Sequence, residues 1–151
     1  MISNLLALTE RRFERTLQEQ SQLNSIIKQQ QQQCVDIRQR ILVLATQAAS
    51  YEKSEELSRT AFWERQRLKA VVLAEIAQFE FQIETLTGEI SKNKVQLSEI
   101  AKRAFVLRNK CEKFRKYLKQ QRIARRLKSE LQQQNEIEEL FVHVSHKNEL
   151  K

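Results

Sequence analysis

The chain has 151 residues, one glycine, no proline and a formal net charge of +8. A chain of this length would ordinarily carry roughly 10 glycines and 7 prolines, so the turns that sheets and compact folds need are scarce. Such a composition excludes β architectures and glycine-built phosphate loops. It predicts an all-α protein of one domain: a long antiparallel two-helix coiled-coil hairpin with an overhanging second helix.

In chain order, the first element is a helix over about 3–49. Leu6, Phe13, Gln20, Ile27, Cys34, Ile41 and Ala48 recur every seven residues as a positions. Leu23, Gln30, Ile37, Leu44 and Tyr51 follow three residues on as d positions; this is the pattern of a coiled-coil stripe. The frame crosses the glutamine run at Gln29–Gln33 without slipping, so the run reads as padded helix rather than disordered tract. Gln20 and Gln30 at core positions cost stability and help fix register.

The pattern blurs from Ala45 to Trp63, and the turn is predicted at about 50–54. Ser50 or Ser54 is the expected cap of the next helix, with Glu55 and Glu56 in its first turn, where anions suit the helix dipole. The second helix is predicted over about 55–140, with a tail at 141–151. Its a positions are Ile76, Ile83, Ile90, Leu97, Ala104, Cys111 and Leu118, and its d positions include Val72, Phe79, Leu86, Ile100, Leu107 and Phe114. Gly88 falls on the outer face, where glycine costs about 1 kcal/mol against alanine without breaking the helix. The alternative is a third helix starting near Gly88.

At 1.5 Å per residue the first helix is roughly 70 Å long and the second nearly twice that. A turn near Tyr51 sets Leu6 opposite the region of Ile100, so everything beyond Ala101 is expected to overhang. Ala104, Leu107, Cys111, Phe114 and Leu118 would then form a seam with no partner in the same chain. Burying each larger side chain is worth about 1.5–3 kcal/mol, which argues for a second chain. By the same register Cys34 faces the region of Val72, far from Cys111, and both read as free seam thiols of a reducing compartment.

Lys110 to Lys128 carries nine Lys or Arg against one acid, Glu112. Several readings are open for it. A leucine-zipper-like nucleic-acid contact is disfavoured because zipper basic regions precede a parallel coil. A membrane-surface helix is disfavoured because the apolar stripe is narrow and continues the intramolecular seam. Docking into an acidic, apolar-lined protein socket fits both features, and a solvated helix or a homodimer seam is the plainer possibility. The candidate contacts are Lys110, Lys113, Phe114, Arg115, Lys116, Leu118, Lys119, Arg122, Arg125 and Arg126. At the hairpin tip, Tyr51, Phe62 and Trp63 either close the hairpin or form a second contact, exposed aromatics being frequent interface anchors.

Catalytic chemistry finds no foothold: one glycine leaves no nucleophile elbow, and a rod offers its carboxylates no concave pocket. His143 and His146 lie within reach of each other on a helix, but zinc usually takes three or four ligands. No enzyme activity, metal or cofactor is therefore expected. "MISNLLALTERRF" lacks the basic region and cleavage site of a leader, and no apolar run approaches the roughly 20 residues that cross a bilayer. A cytoplasmic protein without direct membrane insertion is expected.

The stretches "LSRTAFWERQRLKAVVLAEIAQFEFQI" (Leu57–Ile83) and "FRKYLKQQRIARRLKSELQQQNEIEELF" (Phe114–Phe141) resemble the central stalk proteins of type III secretion and flagellar export. These are the FliJ/YscO-like proteins, and the similarity is strongest to the SpaM/InvI branch of virulence secretion systems. The resemblance implies a hairpin standing in the pore of a hexameric secretion ATPase and touching the cytoplasmic ring of the export gate. Such a protein would couple ATP hydrolysis to export at the periphery of the inner-membrane apparatus, and some members also bind secretion chaperones. On this expectation the basic overhang meets the ATPase and the aromatic tip meets the gate. The alternative is a homodimeric coiled-coil scaffold or chaperone-binding adaptor. Neither reading involves nucleic acid.

Overall fold

The computed structural model describes residues 1–53 and 58–149. Two helices, α1 (Ile2–Ser50) and α2 (Arg59–Glu149), pack against each other as a helical hairpin, with no strand among the described residues. Apart from Thr9, Glu10 and Thr16, every buried or half-buried residue of α1 from Leu6 to Ala48 is one of the predicted a or d residues. From Val72 to Leu118 of α2 the same holds apart from Asn93 and Asn109. The helix runs unbroken through Gly88, where an added Cβ would meet nothing within 4 Å. No third helix begins there, because an outward-facing glycine weakens a helix without interrupting its seam.

Packing divides the hairpin into two compact units: Thr16–Arg103, and Met1–Arg15 together with Ala104–Lys151. The first unit holds the tip. Leu44, Ala48 and Val72 form its most buried cluster, with Tyr51, Ile76 and Phe79 packed against it. Asn93 Nδ2 donates to Gln30 Oε1 at 2.9 Å, and Gln30 Nε2 donates to Glu89 Oε2 at 3.2 Å. This polar layer fixes which turns meet: Cys34, one turn on in α1, falls opposite the turn of α2 that precedes Glu89. The expected neighbour, Val72, belongs instead to the Leu44 cluster.

The connection between the helices explains the shift. Backbone bonds from Tyr51 N to Ala48 O (3.2 Å) and from Glu52 N to Ala49 O (3.1 Å) tighten the end of α1. The chain then runs beside the first turns of α2: Glu52 pairs with Lys69, and Arg65 Nη1 donates to the Lys53 carbonyl at 3.4 Å. Those first turns therefore lie past the end of α1, and the pairing moves along α2 by the residues they contain. Ser58 caps α2, its Oγ accepting from Ala61 N at 3.3 Å. Ser50, one expected cap, ends α1 and donates from its Oγ to the Gln47 carbonyl. Ser54, the other, lies outside the described residues along with Glu55 and Glu56.

In the second unit the start of α1 lies against the stretch of α2 expected to stand alone. Ala104 and Cys111 are buried, and Leu107, Phe114 and Leu118 are half-buried. Thr9 is buried between the helices, its Oγ1 donating to the Leu5 carbonyl at 2.7 Å. Arg115 Nη2 meets Glu10 Oε1 at 3.0 Å across the pair. Leu6 thus sits near the level of Leu118, not Ile100, and the seam from Ala104 to Leu118 is already covered. The true extension of α2 begins beyond Arg125, and residues 141–149, expected as a tail, are helical.

Candidate partner-binding surface

Lys110, Lys113, Lys116, Lys119, Arg122, Arg125 and Arg126 are all exposed on α2. Arg115 is exposed as well but is taken up by Glu10. Phe114 and Leu118 are half-buried against α1 and hold the hairpin together rather than standing free. Where α1 begins, Met1, Ile2 and Ser3 with Leu118, Gln121, Arg122 and Arg125 line an open notch of about 390 Å³. Arg122 and Arg125 put two cations on its wall, so it favours carboxylates or other anions. Burial pushes the Cys111 thiol above its ordinary pKa; Arg115 opposes the shift and Glu10 adds to it.

At the tip the three aromatics separate. Tyr51 packs on the Leu44–Val72 cluster, and its hydroxyl accepts from Gln47 Nε2 at 3.2 Å, so it closes the seam. Phe62 and Trp63 are 48% and 57% exposed and meet edge to face, ring centroids 6.0 Å apart. Ser58 caps α2, and the first two turns of that helix carry both rings. Together they make an exposed apolar knob, the kind of surface that anchors protein contacts.

Periodicity alone missed two apolar features. Phe81, 69% exposed, stands with Ile37 and Leu86 in a surface groove of about 580 Å³. Beyond Leu118 a second apolar stripe opens: Ile123, Leu127, Ile137, Phe141 and Val144 are each at least half exposed. It follows a heptad frame two residues out of phase with the seam, which is why it is lost when the first frame is simply extended. His143 and His146 share a shallow depression with Asn135, Glu138 and Glu139. No group of three or more His, Cys, Asp or Glu able to hold a metal occurs among the described residues.

The surface therefore offers cations, apolar rings and a bare helix, the means of binding another macromolecule. One family model, Salmonella surface presentation of antigen gene type M protein, matches residues 1–141. The chain belongs to this family. It is accordingly a component of type III secretion. The match takes in both helices, the aromatic knob, the basic strip and the out-of-phase stripe as far as Phe141. Neither the curated proteins nor the solved structures give a match. No described helix of this SpaM-family chain is long and apolar enough to cross a membrane.

Proposed function

We propose that the chain is a stalk component of the secretion apparatus that binds the hexameric secretion ATPase and the export gate, coupling ATP hydrolysis to protein export. The observation that carries the reading is the exposed cationic strip of α2 in a chain of a type III secretion family. Lys110, Lys113, Lys116, Lys119, Arg122, Arg125 and Arg126 face the ATPase, while Phe114, Leu118 and Arg115 support that strip from the hairpin side. Phe62 and Trp63 meet the gate, with Tyr51 holding the turn beneath them.

The test is co-purification with the secretion ATPase after reversing Lys116, Lys119, Arg122, Arg125 and Arg126 to Glu. None of these five side chains is buried, so helicity is expected to survive while ATPase binding is lost. Retention of the ATPase by the reversed chain would refute the assignment. Replacing Phe62 and Trp63 with Ala is expected to spare ATPase binding and to remove binding to the gate ring. If these two replacements cost ATPase binding instead, the orientation is reversed.

A further inference from the structure

The start of α1 is held by a thinner seam than its later turns. Within Thr16–Arg103 the buried residues include Ile27, Leu44, Val72 and Ile100, all large and apolar. Within the unit made of Met1–Arg15 and Ala104–Lys151 they are Thr9, Ala104 and Cys111. The large seam residues of that unit, Ile2, Leu6 and Phe13 on α1 with Leu107, Phe114 and Leu118 on α2, are only half-buried. Apolar burial drives helix pairing in proportion to the area hidden, so Met1–Arg15 is held more weakly than the turns from Leu23 onward.

Two polar contacts do not make good the difference. Thr9 donates to the Leu5 carbonyl, a bond inside α1 that does not tie the helices together. Glu10 and Arg115 do meet across the pair, but both side chains are more than a third exposed, and water screens such a contact. After Phe13 the next large apolar residue of the α1 seam is Leu23, with Thr16 and Gln20 at the positions between. Segments with few buried apolar contacts open locally while the remainder stays folded. What this segment covers is the apolar part of the candidate binding surface, Phe114 and Leu118, together with Arg115.

We propose that Met1–Arg15 is a releasable strap: it lifts from α2 while the helices stay paired from Leu23 onward, and its lifting opens an apolar track of Leu107, Cys111, Phe114 and Leu118. At about 100° per residue, Lys110 flanks that track on one side and Arg115, freed from Glu10, on the other. Lys113 and Lys116 lie round the far side of α2 and are reached in either state. With the strap closed, a partner meets cations alone. With it open, the same partner meets cations and an apolar track together, which suits a helix with an apolar edge and acids beside it. The strap is thus an internal competitor, and it weakens docking by the fraction of time it stays closed. The strap itself rests on packing; that its release governs docking rests on the ATPase assignment of the cationic strip.

The two free thiols report the strap directly, since Cys111 is buried beneath it and Cys34 is buried in the other unit. In the native full chain, iodoacetamide is expected to alkylate Cys111 at least tenfold faster than Cys34, read by mass spectrometry of the two peptides. Equal rates, or a faster Cys34, overturn the strap, because both thiols would then wait on one common opening. Phe13→Ala removes the largest side chain from the strap and is expected to speed Cys111 several-fold while leaving Cys34 unchanged. A parallel rise at both thiols would mean general loosening and overturns it as well. The same variant is expected to bind the secretion ATPase several-fold more tightly than the parent. Unchanged or weaker binding overturns the regulatory role while the alkylation result stands. If neither chain binds the ATPase, the stalk assignment falls and the regulatory role with it, and alkylation still decides the strap.

Discussion

Replacing Gln30 and Asn93 by leucine, singly and together, tests whether the polar layer specifies the pairing of the helices. Both side chains are half-buried and joined at 2.9 Å, and Gln30 makes a second bond to Glu89 at 3.2 Å. A hydrogen bond of this kind contributes a net of about 0.5–1.5 kcal/mol, and stranding one partner costs about the same or more. Each single leucine strands a polar group against an apolar one and is expected to lower stability by about 1 kcal/mol. In the double variant nothing is stranded. Two half-buried leucines return roughly what the lost bonds gave, since a fully buried one is worth about 1.5–3 kcal/mol. The double variant should therefore match the parent to within about 1 kcal/mol, closing the cycle with a coupling of roughly 1–2 kcal/mol. Urea unfolding followed by far-UV circular dichroism measures all four chains. A lower denaturant slope in the double variant alone would report slipped registers that the polar layer normally excludes. Additive losses, with the double variant as unstable as the two singles summed, would refute the reasoning.

Two further outcomes follow from single sites. Gly88→Ala places a methyl group in open space on a helical backbone and is expected to raise stability by about 0.5–1 kcal/mol, read as a higher urea midpoint; no gain would mean that α2 is not continuous there. The raised pKa of Cys111 means that the folded chain keeps its thiol proton where the unfolded chain, titrating near about 8.5, loses it. That contribution is complete below the unfolded value and is lost as pH rises through the folded one. The parent should therefore lose stability faster than Cys111→Ala between neutral and alkaline pH, and parallel pH profiles would count against a buried thiol.

Much of the architecture can be read from hydrophobic period alone. Ile27, Cys34, Leu44 and Ala48 on one helix and Val72, Ile100, Ala104 and Cys111 on the other are buried where the seven-residue frame puts them. Period shows which side of a helix is hidden, but not which turn of one helix meets which turn of the other. That offset depends on the path of Tyr51–Lys53 beside α2, held by Lys69 on Glu52 and by Arg65 on the Lys53 carbonyl. The long-range ion pairs that record it carry no local pattern. Hence the seam from Ala104 to Leu118, expected to be bare, is covered by the first turns of α1. Thr9 and Asn93 escaped notice for a related reason: a search for apolar residues passes over polar ones, although both occupy the seam. The cationic strip was legible because charge needs no register, while the loss of Phe114, Leu118 and Tyr51 to internal packing was not.

The change of phase after Leu118 separates two duties along one helix. Side chains that keep α2 folded on α1 point one way, and those from Ile123 to Val144 point another. Substitutions in the later set can alter what the chain recognises while its folding stays intact. A lineage could thus exchange one assembly partner for another by drift on that single face, and a chimera carrying only that segment from a related chain should inherit its donor's binding preference.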